Sequence, residues 1–143
     1  MTLARPICLF VSALMLVPAV VGAEQDVIKL CERLNKKAMD DYDLLEFDSA
    51  RKTLTDAVAL VRSSGLEDSG SAIAAKTYLN LGVVYIGGFK DKDRGRMQFV
   101  RALKIKPDAR LDAQVATPEL QEVFNDALKE MQKMERLLST QAD

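Results

Sequence analysis

The sequence predicts an all-α protein, and three observations carry that prediction. Apolar residues recur at three- and four-residue steps in five separate segments, the spacing that lays one stripe along a helix. No segment sustains the two-residue alternation of a half-buried strand. Only 7 glycines and 4 prolines in 143 residues are too few for a disordered linker, while 48% hydrophobic content supplies the core of one domain.

Each element follows from its own residues. A first helix is predicted over 25–42, with Val27, Leu30, Cys31, Leu34 and Ala38 on one face. Asp40, Asp41 and Asp43 oppose the helix dipole at its C-terminal end and should stop it near Tyr42. Asp48 is the expected cap of a second helix carrying Ala50, Leu54, Ala57, Val58 and Val61, ending near Ser63 before Gly65. A polar loop, 64–70, leads to a third helix that runs from about Ser71 through Tyr78, Leu81 and Val84 to a break at Gly87-Gly88. The fourth, from about Asp93 to Ile105, carries Phe99, Ala102 and Leu103 and is stopped by Pro107. After a connection over 108–116, Thr117-Pro118-Glu119 combines a capping hydroxyl, a first-turn proline and a first-turn acid. The stripe from Leu120 through Phe124, Ala127 and Met131 to Leu138 then holds helical period for five turns, the strongest helix signal in the chain.

The first 23 residues have the pattern of a secretory signal. Arg5 precedes an uncharged run over 7–21, and Val21-Gly22-Ala23 places compact residues at a cleavage site after Ala23. The run is shorter than the roughly 20 residues that span a bilayer and contains Pro18, so cleavage rather than stable membrane insertion is expected. The domain is then 24–143, exported to the periplasm. Cys8 leaves with the signal and Cys31 remains alone, in register with the apolar stripe of the first helix. Its simplest role is a small core residue, and its alternative is a dimer-forming intermolecular disulfide in an oxidising compartment.

The segment from Ala75 to Pro107 resembles a tetratricopeptide repeat (TPR). Tyr78, Leu81-Gly82, Tyr85, Phe99, Ala102 and Pro107 stand at the offsets of that motif, with one extra residue in the turn over 87–91 and Gly95 in place of its usual alanine. A fainter copy lies upstream, where Ala50, Leu54 and Ala57 repeat the small-large-small spacing of Gly95, Phe99 and Ala102. The resemblance implies two antiparallel helical hairpins and a C-terminal closing helix. The stretch 107–120 is similar to the ending of repeat modules in exported envelope proteins of myxobacteria and their relatives. Such a resemblance implies a protein-binding scaffold in an envelope assembly, with gliding motility or secretion machinery as its context.

Composition excludes several chemistries. The absence of histidine removes the Ser-His-Asp and Cys-His constellations and the zinc sites that need an imidazole. Gly82 to Phe89 begins like a phosphate-binding loop, but Gly88 and Phe89 occupy the lysine and hydroxyl positions. The acids Asp40, Asp41, Asp43, Glu46 and Asp48 lack the spacing of a calcium loop, since the sixth and twelfth residues from Asp41 are Glu46 and Lys52. No pattern calls for a metal or cofactor, and a non-enzymatic role is expected. A carrier of an apolar ligand and a small carboxylate-based enzyme are the alternatives.

Two surfaces are candidates for a protein partner. In repeats of this kind the first helix of each pair lines the concave face, which assigns Lys76, Leu79, Val83 and Ile86 to the partner. That apolar ridge is either open or filled by the closing helix. Between residues 90 and 110 stand eight basic residues against three acidic ones, and Arg94, Arg96, Arg101 and Lys104 form its helical part. The block is either a solvated helix face partly neutralised by the acidic last helix or a patch for an acidic partner or lipid headgroups. A net charge of −1 gives no general attraction to nucleic acid.

Overall fold

The computed structural model describes residues 18–141. The elements are α1 (Pro18–Asp43), α2 (Phe47–Ser63), α3 (Ala72–Val83) continued by a π-helical turn (Val84–Gly88), α4 (Lys92–Ile105) and α5 (Pro118–Gln141). No strand occurs among the described residues, so the fold is all-α. Residues 1–17, most of the expected signal, lie outside the description. α1 starts before the expected cleavage position and runs through it.

α1 and α2 pack antiparallel. Asp41 and Ser49 meet across the connecting turn at 2.7 Å, while Cys31 and Val61 share a buried cluster towards the other end. Asp48 is not the cap of α2. Glu46 holds the cap position without a side-chain hydrogen bond, and Asp48, inside the first turn, pairs with Arg51 at 2.8 Å. The polar loop after α2 carries one apolar anchor, Leu66, buried with Cys31, Ile73 and Ala74.

α3 is buried nearly all round, because it packs between α1, α2 and α4. Its pairing with α4 is set by glycines. A Cβ on Gly82 would stand 2.5 Å from Cε1 of Phe99, and one on Gly95 would stand 2.5 Å from Cδ1 of Ile86. Neither position accepts a side chain unless its neighbour moves. The helix does not simply break at Gly87-Gly88. It widens into the π turn, whose glycines lie against Tyr42 and Phe47 of the first pair. Tyr42, Phe47, Phe89 and Tyr85 then form a chain of rings with centroids 5.5, 6.4 and 6.3 Å apart, which ties the two turns together.

Asp91 caps α4 by accepting the Arg94 N–H at 2.9 Å. Thr117 caps α5 as its sequence predicts, its hydroxyl accepting the Leu120 N–H at 3.2 Å. α5 starts beside the N-terminal end of α4, where Lys92 and Glu119 approach to 3.2 Å, and Phe99 meets Phe124 edge to face at 5.6 Å. The connection over 106–116 forms no helix or strand. It lies along α3 as a strap, with Ala109 buried and Leu111 and Val115 packed against the main core.

Candidate functional site

Two cavities flank the strap. One of about 280 Å³ lies between α3 and the strap, walled by Ala75, Leu79, Val83, Ala109, Leu111 and Val115. The other, about 310 Å³, lies between α1, α3 and the strap and is lined by Lys36, Met39, Asp40 and Gln114 among others. Lys76, Asn80, Asp112 and Val115 border both, so the two form one groove that crosses from the second helix pair to the first.

The floor of this groove is fixed by a buried polar network. The Asn35 amide donates to the Cys31 carbonyl at 2.9 Å and to the Thr77 hydroxyl at 2.8 Å, and the Asn80 amide donates to Asn35 Oδ1 at 2.8 Å. Thr77 in turn donates to the Ile73 carbonyl at 2.8 Å. All three side chains are buried, and the network holds α1 and α3 in one register. The sequence contains a signal for it. Asn35 lies four residues after Cys31 and three before Ala38 on the buried face of α1, and Thr77 and Asn80 interrupt the buried, otherwise mostly apolar surface of α3. Buried amides and hydroxyls at such places must find one another.

The predicted ridge is not a continuous surface. Lys76 is exposed and stands where the two cavities meet, whereas Leu79, Val83 and Ile86 are buried. Leu79 and Val83 face the strap, which takes the covering role assigned to the closing helix. Ile86 faces neither cavity and packs against Gly95 of α4 instead. The π turn explains the separation, since its wider spacing rotates Ile86 off the line that a regular helix would give.

The basic block also divides. Arg94 lies 3.4 Å from Asp91, with its guanidinium 5.8 Å from the Tyr85 ring. Arg96, Arg101 and Lys104 border a shallow cavity of about 200 Å³ with Met97, Val100 and Glu130. Arg96 is paired with Glu130 of α5. Neutralisation by the last helix is therefore real for Arg96 and Lys92, while Arg101 and Lys104 have no acid within 4 Å among the described residues.

Cys31 is fully buried, and burial raises its thiol pKa. It is the small core residue that its place in the apolar stripe predicts, and the folded chain does not expose its thiol at the surface. The acidic stretch is resolved into separate pairs: Asp40 with Lys36, Asp41 with Lys37, and Asp48 with Arg51. No group of three or more Cys, Asp or Glu is arranged to hold a metal among the described residues. Tyr78 is enclosed beside Arg62 and Glu67, and burial followed by the Glu67 hydrogen bond raises its phenol pKa.

Comparison with family models, with curated proteins and with solved structures finds no match to this chain.

Proposed function

We propose that this chain is an exported, non-catalytic adaptor that holds a protein partner of the cell envelope in the groove between α1, α3 and the strap. The observation that carries the reading is that both helix pairs and the strap contribute to one groove, with the exposed Lys76 at its centre and a rigid amide network beneath it. Apolar walls provide affinity for a peptide segment, and Lys76 provides the polar contact that orients it. The tetratricopeptide-like spacing over 75–107 and the signal-like N-terminus support the same reading, and the resemblance of 107–120 to envelope repeat modules suggests secretion or gliding-motility machinery as its context. Among the described residues no helix is long and apolar enough to cross a membrane.

One observation favours a second reading, a carrier of a small apolar molecule: the cavity under the strap has mostly aliphatic walls. A photo-crosslinking residue at position 114, exposed on the wall of the groove, separates the two. An adaptor gives a discrete protein adduct in envelope fractions, and Lys76→Glu lowers its yield roughly ten-fold without changing the melting temperature. A carrier gives no protein adduct, and native mass spectrometry of the purified chain finds a small apolar molecule bound.

A further inference from the structure

The turn between α1 and α2 presents two leucines to solvent. Leu44 is 71% exposed and Leu45 is 73% exposed. The turn is nevertheless well defined by hydrogen bonds, with the Leu44 N–H donating to the Asp40 carbonyl at 3.2 Å, Leu45 to Tyr42 at 3.0 Å and Glu46 to Asp41 at 2.9 Å. The last two bonds form the C-terminal lock in which the residue after the helix takes the left-handed conformation. Leu45 does so, at φ 64°. Glycine occupies this position without steric cost, whereas leucine strains the backbone and leaves an apolar side chain in water. Most of the surface of both leucine side chains is left uncovered by the described residues. Asp43 and Glu46 flank the leucines, and neither lies within 4 Å of a basic group among the described residues.

The outer face of α4 has the opposite character. Met97 is 51% exposed above the buried Val100, and Arg101 and Lys104 stand at the rim of the shallow cavity that these residues share with α5. One patch is therefore apolar with acidic flanks, and the other is apolar with a basic rim.

We propose that the two patches bind each other between copies of this chain. The Asp43-Leu44-Leu45-Glu46 turn of one molecule covers Met97 of the next, with its two carboxylates facing Arg101 and Lys104. One turn meets one socket, so an open, heterologous series of copies leaves one turn and one socket free at its ends. Association is then head to tail. An anionic lipid surface is the poorer occupant for the turn, because Asp43 and Glu46 would be repelled by it. Two leucines and a few ion pairs make a small interface, so assembly is reversible, with a Kd on the order of tens to hundreds of micromolar.

Sedimentation velocity on the purified chain tests this, over concentrations from about 10 μM to about 1 mM. The wild type should grow past a dimer as concentration rises, and less so at high salt. Leu45→Gly should weaken association roughly ten-fold while raising the melting temperature, because it removes a contact and relieves the backbone. Two double variants sharpen the test: Leu44→Ser with Leu45→Gly removes the turn patch, and Met97→Ser with Lys104→Glu removes the socket. Each should be monomeric alone, and their mixture should give a one-to-one dimer and nothing larger. A wild type that stays monomeric throughout, a turn or socket variant that associates like the wild type, or a mixture that fails to dimerise would overturn the proposal.

Discussion

The two helix pairs reach the same antiparallel arrangement by different means. In α3–α4 the fit is one of shape: a Cβ on Gly82 would lie 3.1 Å from the Gly95 carbonyl oxygen, and a Cβ on Gly95 would lie equally close to that of Gly82. The backbones touch where there are no side chains, and Ile86 and Phe99 fill the remaining space. In α1–α2 the buried small residues are Ala38, Ala50 and Ala57, so side chains separate the helices. That pair is specified at its turn by polar contacts, where Asp41 accepts from Lys37 and Ser49. A pair joined by shape tolerates no added atom. A pair joined by alanines and polar contacts tolerates small changes in volume but depends on charge.

The largest expected effect tests which surface of α3 is interior. Val83 is 1% exposed and faces the strap. Val83→Asp should place a carboxylate in that apolar space and destabilise the fold by about 4 kcal/mol or more, enough to leave the chain largely unfolded by circular dichroism. A folded Val83→Asp variant with near-native melting would show that the strap leaves the ridge accessible, and the groove would have to be redrawn.

A smaller effect compares the pairs directly, by exchanging equivalent residues. Gly95→Ala adds a methyl group against Ile86 and should cost about 1–3 kcal/mol, despite the gain in helix propensity. Ala50→Gly opens no clash and should cost about 1 kcal/mol, chiefly backbone entropy and one lost methyl group. Urea denaturation of both variants decides the matter. Equal costs would mean that glycine contact is not what distinguishes the second pair.

This difference also explains what the sequence made legible. The five helices are read correctly because each carries an apolar stripe, and Pro107 and Thr117-Pro118 mark their boundaries with side chains that act locally. The second pair is more recognisable than the first because Gly82, Phe99 and Ala102 have few substitutes at a backbone contact, whereas Ala50 and Ala57 are common in any helix. The covered ridge was not legible for two reasons. The π turn alters the register between Val83 and Ile86, which a constant helical period cannot anticipate. The strap has no periodicity at all, and its three apolar residues, Ala109, Leu111 and Val115, become significant only once they lie on α3. The amide network beneath the groove depends on Asn35 meeting Thr77 and Asn80 more than 40 positions away, and nothing local to any of them identifies its partner.

The smallest expected effect concerns charge in the first pair. Asp41 accepts from Lys37 Nζ at 2.6 Å and from Ser49 Oγ at 2.7 Å, and these hydrogen bonds lower its pKa below the ordinary value. The ionised form is therefore favoured by the folded state. Its contribution is fully present above the unfolded carboxylate value of about 3.9 and is lost as pH falls through the lower folded value. Because the Ser49 bond joins the end of α1 to the first turn of α2, protonation should loosen that turn before the glycine-packed pair responds. Melting temperature measured from pH 6 down to about pH 2 should fall more steeply for the wild type than for Asp41→Asn, which cannot ionise. Amide exchange should locate the early loss at Glu46 and Ala50, whose N–H groups bond the Asp41 and Glu46 carbonyls. Identical pH profiles for the two proteins would show that the polar contact does not hold the first turn, and that alanine packing alone specifies the α1–α2 pair.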